Sequence, residues 1–160
     1  MASRTLKEPM RAYRIGDPKG KFPIFSAEGT ARQEGRWHAK GQAVIYASNT
    51  YSTAMLEKLA HFNGVLPDGQ HFLEITIPVG ASYEVVTADI LPGWTAPSIA
   101  RPFGSKWLTD NRSAILVVPS FVARLETNVL INPAHPDFKT IKTGLETPIW
   151  WDRRLFADSD

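Results

Sequence analysis

The 160-residue chain contains no cysteine, which rules out disulfides, thiolate nucleophiles and cysteine-based zinc sites. Charge of one sign is also scarce. The 18 Lys and Arg against 16 Asp and Glu leave a net charge of +2, and although the pI is about 9.0, the basic residues form no block. Nucleic-acid enzymes carry a denser basic face, so direct nucleic-acid binding is not expected, whereas a mild positive balance suits a small anionic ligand. Long hydrophobic runs are missing too. The opening MASRTLKEPMRAYRI lacks the apolar stretch and small-residue site of a secretory signal, and nothing approaches the roughly 18 apolar residues of a membrane-spanning helix; a soluble, cytoplasmic protein is expected. His38, His61, His71 and His135 form neither HExxH nor another close ligand pair, so no metal site is expected. GxSxG, P-loop and GxGxxG patterns are absent, against a serine hydrolase, a P-loop phosphotransferase or a Rossmann dehydrogenase.

What is present is an ordinary globular composition, 43% hydrophobic and 21% charged, in a length that suits one domain with its own core. Residues 1–11 read as a polar, disordered or extended lead-in, and the domain as 12–156. A short strand is expected at 12–15, then a long irregular loop rich in glycine and charge at 16–35. Residues 43–47 (AVIYA) read as a buried strand. Asn49 or Thr50 can cap a helix over 51–62, with Met55, Leu59 and Phe62 as its core stripe and Asn63-Gly64 as its stop. Strands at 71–77 and 83–86 can form an antiparallel pair. A helix is expected over 97–107 and buried strands at 114–118 and 128–131. The tail at 150–156 is expected to dock on the body. Strands and helices do not alternate regularly, so the pattern predicts a single α+β domain rather than a doubly wound sheet.

The block Gly35-Arg36-Trp37-His38, then Tyr46 on the short strand and Glu57 on the helix, can bring an Arg, a Tyr and a Glu to one cleft. Arginine grips phosphate through paired charge-assisted hydrogen bonds. A tyrosine ring stacks on a flat nicotinamide or ribose face. A carboxylate holds ribose hydroxyls and stabilises the cation that develops as a glycosidic C–N bond lengthens. Each residue alone has an ordinary structural explanation, and the residues by themselves lead only to an α+β domain with an anion-binding cleft.

Ordered blocks carry the reading further. YRI at 13–15, GRWHAKGQAVIYAS at 35–48, AMLE at 54–57, LPGW at 91–94, GSKWL at 104–108, VPS at 118–120, LINPAHPDF at 130–138 and RLF at 154–156 resemble the RES domain family, over nearly the whole chain. The resemblance implies an ADP-ribosyltransferase-like fold, a mixed β core with flanking helices. It implies that Arg36, Glu57 and Ser120 are the residues that give the family its name, that Tyr46 is a further site residue, and that Arg14 is a second phosphate ligand. It further implies the toxin half of a toxin–antitoxin pair that consumes NAD as substrate by hydrolysis, phosphorolysis or transfer of ADP-ribose to a protein. The partners implied are an Xre-like helix-turn-helix antitoxin and a second copy in a toxin homodimer. A noncatalytic module that binds a nucleotide or antitoxin is the alternative from another class. One departure stands out: the family's Gly-Gly before the arginine is Glu34-Gly35 here.

Overall fold

The computed structural model describes residues 3–63 and 65–156. Nine strands and two helices follow in order: β1 (Arg4–Thr5), β2 (Met10–Gly16), β3 (Ile45–Ser48), α1 (Tyr51–His61), β4 (His71–Ile77), β5 (Ser82–Val85), α2 (Pro97–Thr109), β6 (Ile115–Pro119), β7 (Thr127–Ile131), β8 (Lys142–Thr143) and β9 (Thr147–Pro148). The strands form one mixed sheet in the order β1-β5-β6-β7-β3-β2-β4-β8, with β9 also on β4. Among the described strands only β5 and β6 run parallel, and α2 lies in the crossover between them. The chain is thus an α+β domain, as the irregular order of the predicted elements implies.

Strand alternation sorts the core into two layers. Ala12, Ile45, Ala47, Ile75, Ile115, Val117, Val129 and Ile131 fill one face of the sheet, where the stacked rings of Phe25 and Phe138, from the flanking loops, help close it. Leu116, Val118 and Leu130 point to the other face and meet Ala100 and Trp107 of α2. Trp107 is fully buried, and its indole N–H donates to Ser113 Oγ at 2.8 Å. Pro97 begins α2, where the missing N–H costs nothing. Helix α1 begins at the cap Thr50, whose hydroxyl oxygen accepts from Thr53 N–H at 3.1 Å.

Two expectations need correction, and a third narrows to one of its two alternatives. The lead-in is extended and paired: Arg4 and Thr5 lie against Tyr83 and Ser82 of β5, and Leu6 is buried with its N–H donating to Ala81 O; residues 1 and 2 lie outside the described residues. Strands β4 and β5 do not pair, because the Pro78–Ala81 link makes no hairpin. Gly80 N–H donates to Leu6 O instead, while β4 is occupied by β2, β8 and β9. The predicted stripe of α1 is not its buried face. Thr53 and Ala54 are buried, whereas Leu56 and Phe62 are 44% and 37% exposed and Met55 and Leu59 half-buried. Small residues let α1 approach β2 and β3 closely, which turns Glu57 and Lys58 inward and the apolar stripe aside. Gly64, expected to stop this helix, lies outside the described residues. The tail docks through Trp151, which donates to Pro67 O at 3.0 Å, while Trp150 is 77% exposed.

Candidate active site

Strands β2 and β3 share a single bridge, Tyr13 with Ser48, and beyond it they part. Arg14 inserts there, its Nε donating to Ile24 O at 2.5 Å and its Nη1 to Tyr46 O at 2.7 Å. The guanidinium thus replaces ladder hydrogen bonds that the splayed backbone does not make. The opening is a cleft of about 230 Å³, lined among others by Tyr13, Arg14, Tyr46, Glu57, Lys58 and Asn128. No carboxylate pairs with Arg14 or Lys58 among the described ion pairs. Burial away from solvent pushes the Arg14 guanidinium down to about 10, so it remains a cation at neutral pH. Burial first, and Arg14 second, lower the Lys58 ammonium from the ordinary lysine value. Two desolvated cations with no carboxylate in ion-pair contact make the cleft a place for an anion.

Glu57 faces the same space from α1. Its Oε1 accepts from Ser120 Oγ at 2.9 Å and from Asn128 Nδ2 at 2.7 Å, and among the described hydrogen bonds none reaches Oε2. Ser120 is buried, and its hydroxyl also accepts from Ala123 N–H; it therefore steadies Glu57 and does not line the cleft. Arg36 stands outside the lining as well. Its Nη1 donates to Thr95 O, its guanidinium lies 4.2 Å from the Phe121 ring centre, and burial lowers its proton affinity below the ordinary arginine value, opposed in part by the Glu57 carboxylate. Arg124 shares the Phe121 ring at 4.5 Å.

Tyr46 is fixed by its hydroxyl. His38 Nε2 lies 2.8 Å from Thr30 O and 2.7 Å from Gln33 O, two acceptors that require a proton on that nitrogen. In the neutral ring Nδ1 is then the acceptor, and Tyr46 OH donates to it across 2.7 Å. Burial raises the phenol well above its ordinary value. Tyr46 is therefore a neutral ring whose hydroxyl is already engaged. This locking also explains the Glu34-Gly35 pair. A Cβ at Gly35 would stand 2.6 Å from the His38 ring and 2.9 Å from the Tyr46 hydroxyl, so the second glycine is essential; Glu34 pairs with Arg101 at 3.4 Å.

Of the five residues singled out in the sequence, Arg14, Tyr46 and Glu57 share the cleft, Ser120 holds Glu57 from behind and Arg36 adjoins it. Ser48, Lys58 and Asn128 were missed. Asn128 had a signal, a polar amide at the head of the apolar run 129–131 of a buried strand; Lys58 beside Glu57 had none, because a helical lysine is ordinarily solvated. Among the described residues no cluster of three His, Asp or Glu side chains can hold a metal, and no helix is long and apolar enough to cross a membrane.

Comparison with known proteins gives the chain's relatives. The family model described as RES domain matches residues 11–152. A protein of Sphingobium sp. (strain YBL2) named Prs ADP-ribosylating toxin is 45% identical over 138 residues, 82% of this chain and 86% of that protein. A protein of Pseudomonas putida (strain KT2440) named Toxin Res is 37% identical, covering 84% of this chain and 94% of its own. In fold, the chain is similar to one in the crystal structure of the M. tuberculosis MbcT–MbcA toxin–antitoxin complex, with a TM-score of 0.67 over 91% of this chain and 86% of that one, at 14% identity.

Proposed function

The chain belongs to the RES domain family, and from that premise we propose that it is the toxin of a toxin–antitoxin system and cleaves the nicotinamide–ribose bond of NAD. The observation that carries the reading is Glu57, one carboxylate oxygen held by two donors and the other without a partner among the described hydrogen bonds, in a cleft that Arg14 and Lys58 also line. In the reaction the electron pair of the C–N bond leaves with nicotinamide, which becomes neutral, and C1 of the ribose takes the positive charge. Glu57 Oε2 orients ribose hydroxyls and stabilises that cation. Arg14, through the nitrogen it does not spend on carbonyls, and Arg36 at the rim hold the pyrophosphate. The Tyr46 ring packs on the nicotinamide end, and Ser120 acts through Glu57. Water or inorganic phosphate then adds to C1 and loses a proton, so that cellular NAD is depleted.

Glu57→Gln keeps an acceptor for both Ser120 and Asn128 and removes only the charge. NAD loss by the purified variant is expected to fall at least about a hundredfold, the magnitude of losing one electrostatic stabiliser; turnover within a factor of two of wild type would overturn the assignment. A phosphate requirement would separate phosphorolysis from hydrolysis.

The name of the Sphingobium relative supports a second reading, in which a protein side chain intercepts the same cation. Mass spectrometry of cell extract incubated with the protein and NAD would show an ADP-ribosylated protein in that case. The structural neighbour, solved as a toxin–antitoxin complex, supports an antitoxin partner; we further propose an Xre-like helix-turn-helix antitoxin, a toxin homodimer within the complex and action in the cytoplasm. Co-expression with an Xre-like helix-turn-helix protein, if one is encoded beside this chain, is expected to suppress NAD loss.

A further inference from the structure

Behind Glu57 lies a polar chain that the chemistry above does not yet use. Ser48 and Asn128 are cross-strand partners of β3 and β7, so their side chains leave the sheet on the same face. Ser48 is 3% exposed, and its hydroxyl donates to Asn128 Oδ1 at 2.8 Å. The orientation of the Asn128 amide follows from its neighbours. An ionised carboxylate only accepts hydrogen bonds, so Nδ2 must face Glu57 Oε1, 2.7 Å away. Ser48 then completes the other end of the amide and prevents it from turning over.

We propose that Ser48 and Asn128 form a positioning relay that fixes the Glu57 carboxylate, directing onto Oε1 one hydrogen bond that joins the one from Ser120, so that Oε2 alone meets the ligand. The inference rests on the NAD reading for its role in catalysis but not for its geometry. Two donors on one oxygen stop the carboxyl from rotating about its last bond. Ser120 supplies one donor from the loop after β6 and Asn128 the other from β7, so the orientation of a helical side chain is set from the sheet. The other charged or titratable groups around the cleft are Tyr13 and Arg14 of β2, Tyr46 of β3, and Lys58 and His61 of α1, with Arg36 from the loop before β3. The substitutions below leave all of these in place.

Asn128→Asp is nearly isosteric and sets a second carboxylate against Glu57, and Ser48→Ala removes only the donor that orients the amide. Two readouts are needed: the carbon NMR titration of the Glu57 carboxyl, assigned by its loss in Glu57→Gln, and the pH profile of NAD cleavage. In Asn128→Asp the Glu57 titration should move upward by about one pH unit or more, as for paired carboxylates. The acid limb of kcat should move with it, so that the loss is larger at pH 5 than at pH 8, while KM changes less than about threefold. Ser48→Ala should move both in the same direction by a smaller amount, and it carries the test if the aspartate variant does not fold. A Glu57 titration unchanged in the folded variants overturns the relay. A shifted titration in a protein that cleaves no NAD upholds the relay as the device that holds Glu57 and overturns the NAD reading.

Discussion

Lys58 follows Glu57 and lines the same cleft, where its ammonium is drawn from water and lies 5.8 Å from the Phe62 ring centre. Its proton affinity is lowered in the folded chain and ordinary in the unfolded one. Between the lowered value and the ordinary lysine value near 10.5, the unfolded chain therefore binds more protons and stability rises with pH. The stabilising effect is complete above the ordinary value and is lost as pH falls through the lowered one, so at neutral pH the charged lysine weighs against the fold. Lys58→Met is expected to stabilise the protein by about 0.5–1 kcal/mol at pH 7 and to flatten the rise in stability as pH approaches the ordinary lysine value. The same change should weaken binding of NAD or inorganic phosphate about tenfold, the worth of one charge-assisted hydrogen bond. Calorimetric melts across pH and phosphate titrations check the two halves separately, and a variant that gains stability without losing the anion would remove Lys58 from the site.

Helix α1 joins two kinds of anchoring, a cap at its start and the Glu57 contacts in its middle. Thr50→Ala removes the cap and is expected to cost about 1 kcal/mol, a fall of about 2–4 °C in Tm for a chain of this size. Glu57 remains tied to Ser120 and Asn128, so NAD turnover below the melt should stay within about twofold; a larger loss would show that the cap, not the sheet, sets the orientation of Glu57. This division also explains what could be read in advance. Strands β3, β4, β6 and β7 and helix α2 were legible because burial on the sheet leaves apolar runs or alternation, and the start of α1 because Thr50 is a strong cap. The inward face of α1 was not, since Thr53, Ala54, Glu57 and Lys58 form a small and polar face that buries against a cleft, and periodicity alone assigns such a face to solvent. Pairing partners were illegible for a similar reason: whether β4 meets β5 or β2 depends on Gly80 bonding to Leu6, a contact 74 positions apart. Arg14 and Ser120 were found through family motifs, but their work on backbone carbonyls and on Glu57 became visible only in three dimensions.

Across the molecule, the cleft walls come from β2, β3, β7 and α1, while Arg36 stands on the long loop before β3. That loop is not free. Trp37 stacks with Trp94 at 6.4 Å and meets Phe103 of α2 edge-on, Arg101 donates to Gly35 O at 2.8 Å, and a Cβ at Gly104 would lie 1.9 Å from Trp37 O. Helix and loop touch backbone to backbone, so Gly104→Ala must push the two apart. The expected result is a loss of at least about 2 kcal/mol, as for other overpacked sites, with a raised KM for NAD because Arg36 shifts with its loop; an unchanged melt and KM would mean that the contact is slack. The contact also bears on time. A site whose walls are already seated has no closure step to wait for, so mixing with nucleotide should give one exponential whose rate climbs linearly with concentration, without the plateau that a slow rearrangement imposes.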